Sequence, residues 1–144
     1  MKKTILVCSD RDGTINKDEN YYLGSSPNWK EQVEFLDGVV DGIRLLNNNQ
    51  NIEFFIVTNQ SEVALADFKL LTEERMYQVN DYIVDELKKR EAFVKGYFAC
   101  PYIDSEYLYR ALEKHRVIIK EYIKDGHPDI KPNIGMIQKA AKKK

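Results

Sequence analysis

Cysteine is scarce in this sequence: only Cys8 and Cys100 occur in 144 residues. Two thiols cannot build a disulfide framework, which argues against a small secreted scaffold. An excess of charge is also missing, since 22 Lys and Arg face 23 Asp and Glu for a formal net charge of -1. That balance excludes a surface given over wholly to nucleic acid or to membrane. No apolar run approaches the roughly 18 residues that span a bilayer. The opening, MKKTILVCSDRDG, starts basic but meets charge again after about five apolar residues, too few for a signal-peptide core. There is no internal repeat and no low-complexity linker, and the one biased stretch, Lys139–Lys144, reads as a solvated basic tail. What remains is a 43% hydrophobic chain of a length that suits one domain over residues 1–144, of cytoplasmic type.

The pattern along the chain alternates strands and helices. Thr4–Ser9 is a short apolar, β-branched run that ends in polar residues, as expected of a buried parallel strand. Asp37–Asn51 carries Val39, Val40, Ile43 and Leu46 at helical spacing before an Asn-rich turn. Ile52–Thr58 predicts a second strand. Thr72 suits the cap of a helix running to about Arg90, with Met76, Val79, Ile83 and Leu87 along one face. Val94–Ala99 predicts a third strand and Asp104–His115 a helix. Val117–Ile123 fits either extended structure or a surface helix, and Pro132 suits the first turn of a last helix to about Lys142. This order predicts an α/β fold, a central parallel sheet flanked by helices, with ligands at the carboxyl ends of the strands.

Those strand ends carry the candidate chemistry. After the first comes Asp10-Arg11-Asp12-Gly13-Thr14-Ile15-Asn16. Carboxylates two residues apart on an extended segment face the same side. One can attack a phosphoryl group as nucleophile, and the other can protonate the leaving oxygen and later deprotonate water. Two acids repel a phosphate, so the scheme calls for a cation, and Mg²⁺ is the oxygen-preferring choice. After the second strand, Thr58-Asn59-Gln60-Ser61 offers a hydroxyl and amides for non-bridging phosphate oxygens. Further on, Lys131-Pro132 places an ammonium at the expected mouth of the last helix, an anion site.

With DRDGTIN, VTNQS and KPNIGM together, the chain resembles the haloacid dehalogenase-like (HAD) phosphatase superfamily, nearest to its histidinol-phosphate and heptose-bisphosphate phosphatase branch. The resemblance runs from about Ile5 to Ala141 and implies a Rossmann-like core. By it, Asp10 is the nucleophile and a Mg²⁺ ligand. Asp12 is the general acid and base and lends its backbone carbonyl to the metal. Thr58 and Asn59 bind the phosphoryl group, and Lys131 steadies the nucleophile and the transferring charge.

Three departures from that pattern matter. Cys100-Pro101-Tyr102 keeps one position of the zinc loop that the branch often carries, but distant His115 and His127 do not complete a four-ligand site. Asp129-Ile130 stands where the branch often has an Arg before Lys-Pro, so one substrate contact is absent or supplied differently. The acidic motif that completes the metal site in the superfamily has no counterpart, so the chain reads as lacking the C-terminal part of the core.

Spacing limits the substrate. The 45 residues between Asp12 and Thr58 and the 72 between Thr58 and Lys131 leave no room for a large cap domain. Selectivity then falls to the loops, where Tyr21, Tyr22 and Trp29 either stack on a ring or pack a flap onto the body. The expected activity is Mg²⁺-dependent hydrolysis of a small phosphomonoester, of the sugar phosphate or histidinol-phosphate type, through an aspartyl-phosphate. The alternative is a catalytically weak or inactive relative that binds phosphate ligands or a partner. A receiver domain of the response-regulator type is disfavoured, because its acceptor Asp follows the third strand, where this chain has Ala99-Cys100-Pro101. Neither nucleic acid nor membrane is an expected partner. An open sheet edge suggests a homodimer, an expectation that a clean monomer in light scattering would remove.

Overall fold

The computed structural model describes residues 3–18 and 22–143; Tyr21 and the end of the basic tail at Lys144 lie outside them. Three strands, β1 (Ile5–Ser9), β2 (Ile52–Asn59) and β3 (Gly96–Cys100), form one parallel sheet in the order β1-β2-β3. Ile5 sits opposite Ile52 and Ser9 opposite Ile56, while Phe55 faces Gly96 and Asn59 faces Cys100. All three strands therefore end on the same side.

The middle strand is buried continuously from Phe54 to Thr58 because helices cover both of its faces. On one face Phe54 and Ile56 join Ile43 of α2 (Val39–Asn47) and Val79, Ile83 and Leu87 of α3 (Glu73–Lys89). On the other, Val57 and Cys100 meet Met136 of α5 (Gly135–Lys142) and Ile130, with Cys8 and Phe98 at the margin. A short α1 (Trp29–Gln32) and α4 (Ser105–Glu113) complete the set. Among the described residues no further folded unit is inserted between the strands. No helix among them is long and apolar enough to cross a membrane.

α3 shows why sequence and structure agree so closely here. The Thr72 hydroxyl accepts from the Arg75 N–H at 3.1 Å, Glu73 and Glu74 occupy the first turn, and Lys88 and Lys89 the last. Trp29 is buried against Tyr82, edge to face at 5.3 Å between centroids, so this aromatic packs the flap onto the body.

Three local expectations change. Val117–Ile123 is neither strand nor helix. It makes single bridges, Ile118 to Leu65 and Ile123 to Ile103, around a 3₁₀ turn at Lys120–Tyr122. α2 spans Val39–Asn47 rather than Asp37–Asn51, because Gly38 in the left-handed region starts it late. α5 begins at Gly135, three residues after Pro132, because residues 128–135 first close a turn, with Asn133 N–H donating to Ile130 O and Gly135 N–H to Pro128 O. A Cβ at position 135 would fall 2.5 Å from both Asp129 Oδ1 and Pro128 O, so the turn admits only glycine there.

Candidate active site

β1 delivers Asp10 and Asp12 to the carboxyl edge of the sheet, and Gly13, at φ 79°, lets the chain fold back. The turn is closed by Gly13 N–H to Asn16 O at 2.9 Å and Ile15 N–H to Arg11 O at 2.7 Å, which seats Ile15 in the core. The two carboxylates then have different surroundings.

Asp10 is half exposed, and Lys131 Nζ lies 2.8 Å from its Oδ1. The same ammonium donates to Val57 O at 3.1 Å. Asn59 fixes the lysine from behind: its Oδ1 accepts from Lys131 N–H at 3.1 Å and its Nδ2 donates to Lys131 O at 3.4 Å. Lys131 thus reaches Asp10 from the turn that precedes α5, across 121 positions of sequence, rather than from the helix mouth.

Asp12 is held by its neighbours. Its Oδ1 accepts from Arg11 Nε at 3.0 Å, Arg11 Nη2 at 2.8 Å and Asn16 Nδ2 at 3.1 Å. Its Oδ2 accepts a longer bond, 3.3 Å, from Gln60 Nε2. Gln60 also donates to Thr58 Oγ1 at 3.0 Å, and Thr58 is buried. Arg11 itself is 1% exposed and passes its remaining arm to Asn80 Oδ1 of α3 at 3.0 Å. The five residues singled out from sequence therefore fall into two linked chains, Asp10–Lys131–Asn59 and Asp12–Gln60–Thr58.

Arg11, Asn16 and Asn80 are supports that the motif reading passed over, and Gln60, read there as an amide for phosphate oxygens, is buried and bonds Asp12 and Thr58 instead. Asn80 had a signal, since it is a polar residue within the apolar face of a helix, four positions after Met76, whose carbonyl it bonds at 2.9 Å.

Two further acids surround the site. Burial raises Asp18, and the Asp12 and Asp10 charges add to the rise. Burial also pushes Glu62 up to about 7, with the charges of Asp12 and Asp18 contributing. Between its ordinary value of 4.5 and about 7, the folded chain keeps a proton on Glu62 that the unfolded chain has lost. Stability therefore falls as pH rises through that window, by about 3 kcal/mol at most. Glu62→Gln is expected to be more stable than the parent at pH 8 and equal to it at pH 4, as measured by urea unfolding; an equal gain at both values contradicts this.

Cys8 and Cys100 are both free thiols, and burial pushes Cys100 up to about 11, so it is an inert packing residue. Among the described residues no group of three or more His, Cys, Asp or Glu is placed to hold a metal ion. The residues present nevertheless fit a magnesium site completed by phosphate and water. Asp10 Oδ2 has no hydrogen-bond partner among the described residues, and Mg²⁺ is commonly held by one or two carboxylates with several waters retained.

Comparison with known proteins identifies relatives of the chain. No family model matches the chain. It is 33% identical over 101 residues to D-glycero-beta-D-manno-heptose-1,7-bisphosphate 7-phosphatase of Escherichia coli K12, covering 70% of this chain and 48% of the relative. To D-glycero-alpha-D-manno-heptose-1,7-bisphosphate 7-phosphatase of Photorhabdus laumondii it is 29% identical over 135 residues, 93% of this chain and 62% of that one. The crystal structure of D,D-heptose 1,7-bisphosphate phosphatase from B. bronchiseptica, complexed with magnesium and phosphate, superposes with a TM-score of 0.66 at 23% identity, over 96% of this chain and 62% of that one. The chain spans about half the length of the Escherichia coli relative. These relatives, with the shared fold, place the chain in the HAD-like phosphatase superfamily. Within it, the chain stands beside the heptose-bisphosphate phosphatases named above.

Proposed function

We propose that the chain carries the catalytic core of a phosphomonoesterase that moves a phosphoryl group first to Asp10 and then to water. The observation that supports this most strongly is the 2.8 Å ion pair of Lys131 with a half-exposed Asp10. A carboxylate at the strand end with one oxygen steadied and the other open is placed to attack phosphorus. In the first step Asp10 Oδ2 bonds to phosphorus, the bond to the ester oxygen breaks, and that oxygen takes a proton from Asp12. In the second, water gives its proton to Asp12 and attacks the aspartyl-phosphate, releasing phosphate and restoring Asp10.

Arg11 and Asn16 occupy Asp12 Oδ1, which leaves Oδ2 as the atom that exchanges the proton. Thr58 and Asn59 keep their assignment to the non-bridging phosphoryl oxygens, Asn59 also setting the position of Lys131. Asp10 and the Asp12 carbonyl would hold Mg²⁺, which supplies positive charge to a phosphoryl group facing two acids. The magnesium and phosphate in the B. bronchiseptica structure support that choice. The substrates in the relatives' names favour a phosphorylated sugar over the histidinol-phosphate type, and their being enzymes does not favour the binding-only alternative. A cytoplasmic location belongs to the same reading.

The test is phosphate release by the purified chain from sugar, amino-alcohol and nucleotide phosphates, with Mg²⁺ and with a chelator. Release from sugar phosphates is expected, and removal of the metal should lower it at least about tenfold. A well-folded chain that releases nothing, or releases phosphate equally under chelation, overturns the proposal.

A further inference from the structure

The turn that carries Lys131 to Asp10 is held from two sides. On one, Asn59 at the end of β2 clamps the Lys131 backbone through its Oδ1 and Nδ2. On the other stands a group of side chains to which the proposed reaction gives no part. His127 Nδ1 accepts from Asp129 N–H at 3.0 Å, and the His127 ring lies on that of Tyr102, just past β3, at 4.5 Å between centroids. The His127 carbonyl accepts from Asn133 Nδ2 at 3.0 Å, which closes the turn around Lys131. Asp129 reaches out of the turn and pairs with Lys139 of α5. Between Asp129 and Lys131, Ile130 is buried with Val57, Cys100 and Met136.

Asp129 is the anomaly in this group. It is 7% exposed, and its Oδ1 is buried without a hydrogen-bond partner among the described residues. A carboxylate so placed is costly, because one cation does not replace the water that both oxygens lose. Lys139 is itself half exposed and offsets only part of that cost. A neutral pair of similar size would suit the fold about as well. What the charged pair adds is a fixed tie between the turn and α5, two residues before Lys131.

We propose that Asp129 and Lys139 are positioning residues for Lys131. Their ion pair, with His127 holding the Asp129 backbone, sets the turn so that the Lys131 ammonium meets Asp10 Oδ1 rather than solvent. Both act through Lys131 and not on the reacting atoms. The inference rests on Asp10 and Lys131 forming the phosphatase centre. It makes kcat, rather than substrate affinity, the quantity that the pair controls, because Lys131 steadies charge that develops during transfer.

The test is the paired variant Asp129→Asn, Lys139→Gln, which removes both charges and leaves no lone ion buried. It is expected to keep the parental urea midpoint and KM, while kcat for a sugar phosphate falls at least about tenfold, as misplaced catalytic groups cause. In a Lys131→Ala background the same pair should cost nothing more, since the residue it positions is gone. A second readout needs no turnover. The ammonium NMR signal of Lys131, assigned by its loss in Lys131→Ala, should move in the paired variant in the direction that it moves in Asp10→Asn. If that shift appears in a chain that hydrolyses nothing, the positioning stands and only the catalytic reading fails. An unmoved signal, an unchanged kcat in an active chain, or a loss as large in the Lys131→Ala background as in the parent overturns the proposal.

Discussion

Asp10→Asn is expected to lower phosphate release by at least about a thousandfold while leaving the fold in place. The carboxamide loses the negative charge that makes Asp10 Oδ2 a nucleophile, and no neighbouring acid reaches the same position. Asp12, two residues on, has one oxygen committed to Arg11 and Asn16. The substitution also weakens the contact with Lys131, but those side chains are 50% and 27% exposed, and pairs of that kind contribute at most about 1 kcal/mol. Activity and stability should therefore separate. Phosphate release collapses, and the urea midpoint moves little. A variant that keeps a tenth or more of the parent activity contradicts the assignment of the nucleophile.

Arg11→Ala has the largest expected effect on stability. Its side chain is 1% exposed and makes three hydrogen bonds, two to Asp12 Oδ1 and one to Asn80 Oδ1. Removing one partner of a buried charged pair costs about 3–5 kcal/mol, and here a cavity and a deprived Asn80 are left behind as well. Asn80→Ala removes only the far end of the network and should cost about 1–3 kcal/mol. Urea unfolding of both variants gives the order Arg11→Ala well below Asn80→Ala. A loss under 1 kcal/mol for Arg11→Ala shows that the network does not hold the turn. Because Arg11 also fixes Asp12, phosphate release should fall in any Arg11 variant that stays folded.

The two examples also show where the sequence could be read and where it could not. β2 was legible because the apolar, β-branched run Phe54–Val57 is too short for a helix and ends in polar residues, and α3 because its cap, charges and apolar stripe agree. Asp10 and Asp12 stood out because two acids two residues apart follow the apolar run of β1 directly. Arg11 was not. Between two acids in a polar turn it looks solvated, and its burial depends on Asn80, 69 positions away, meeting it across the core. Lys131 was found by its motif but misplaced, since the turn from Pro128 to Gly135 delays α5 and carries the lysine over Asp10.

The claim at the centre of this account is that phosphate passes through a covalent bond to Asp10. The most direct test is to quench the chain during turnover of a sugar phosphate with Mg²⁺ present, reduce with borohydride, and locate the modified residue by peptide mass spectrometry. An acyl phosphate is reduced to the alcohol, so the account predicts homoserine at position 10 and an unaltered Asp12. Homoserine at position 12, or steady phosphate release with neither residue ever modified, would contradict it.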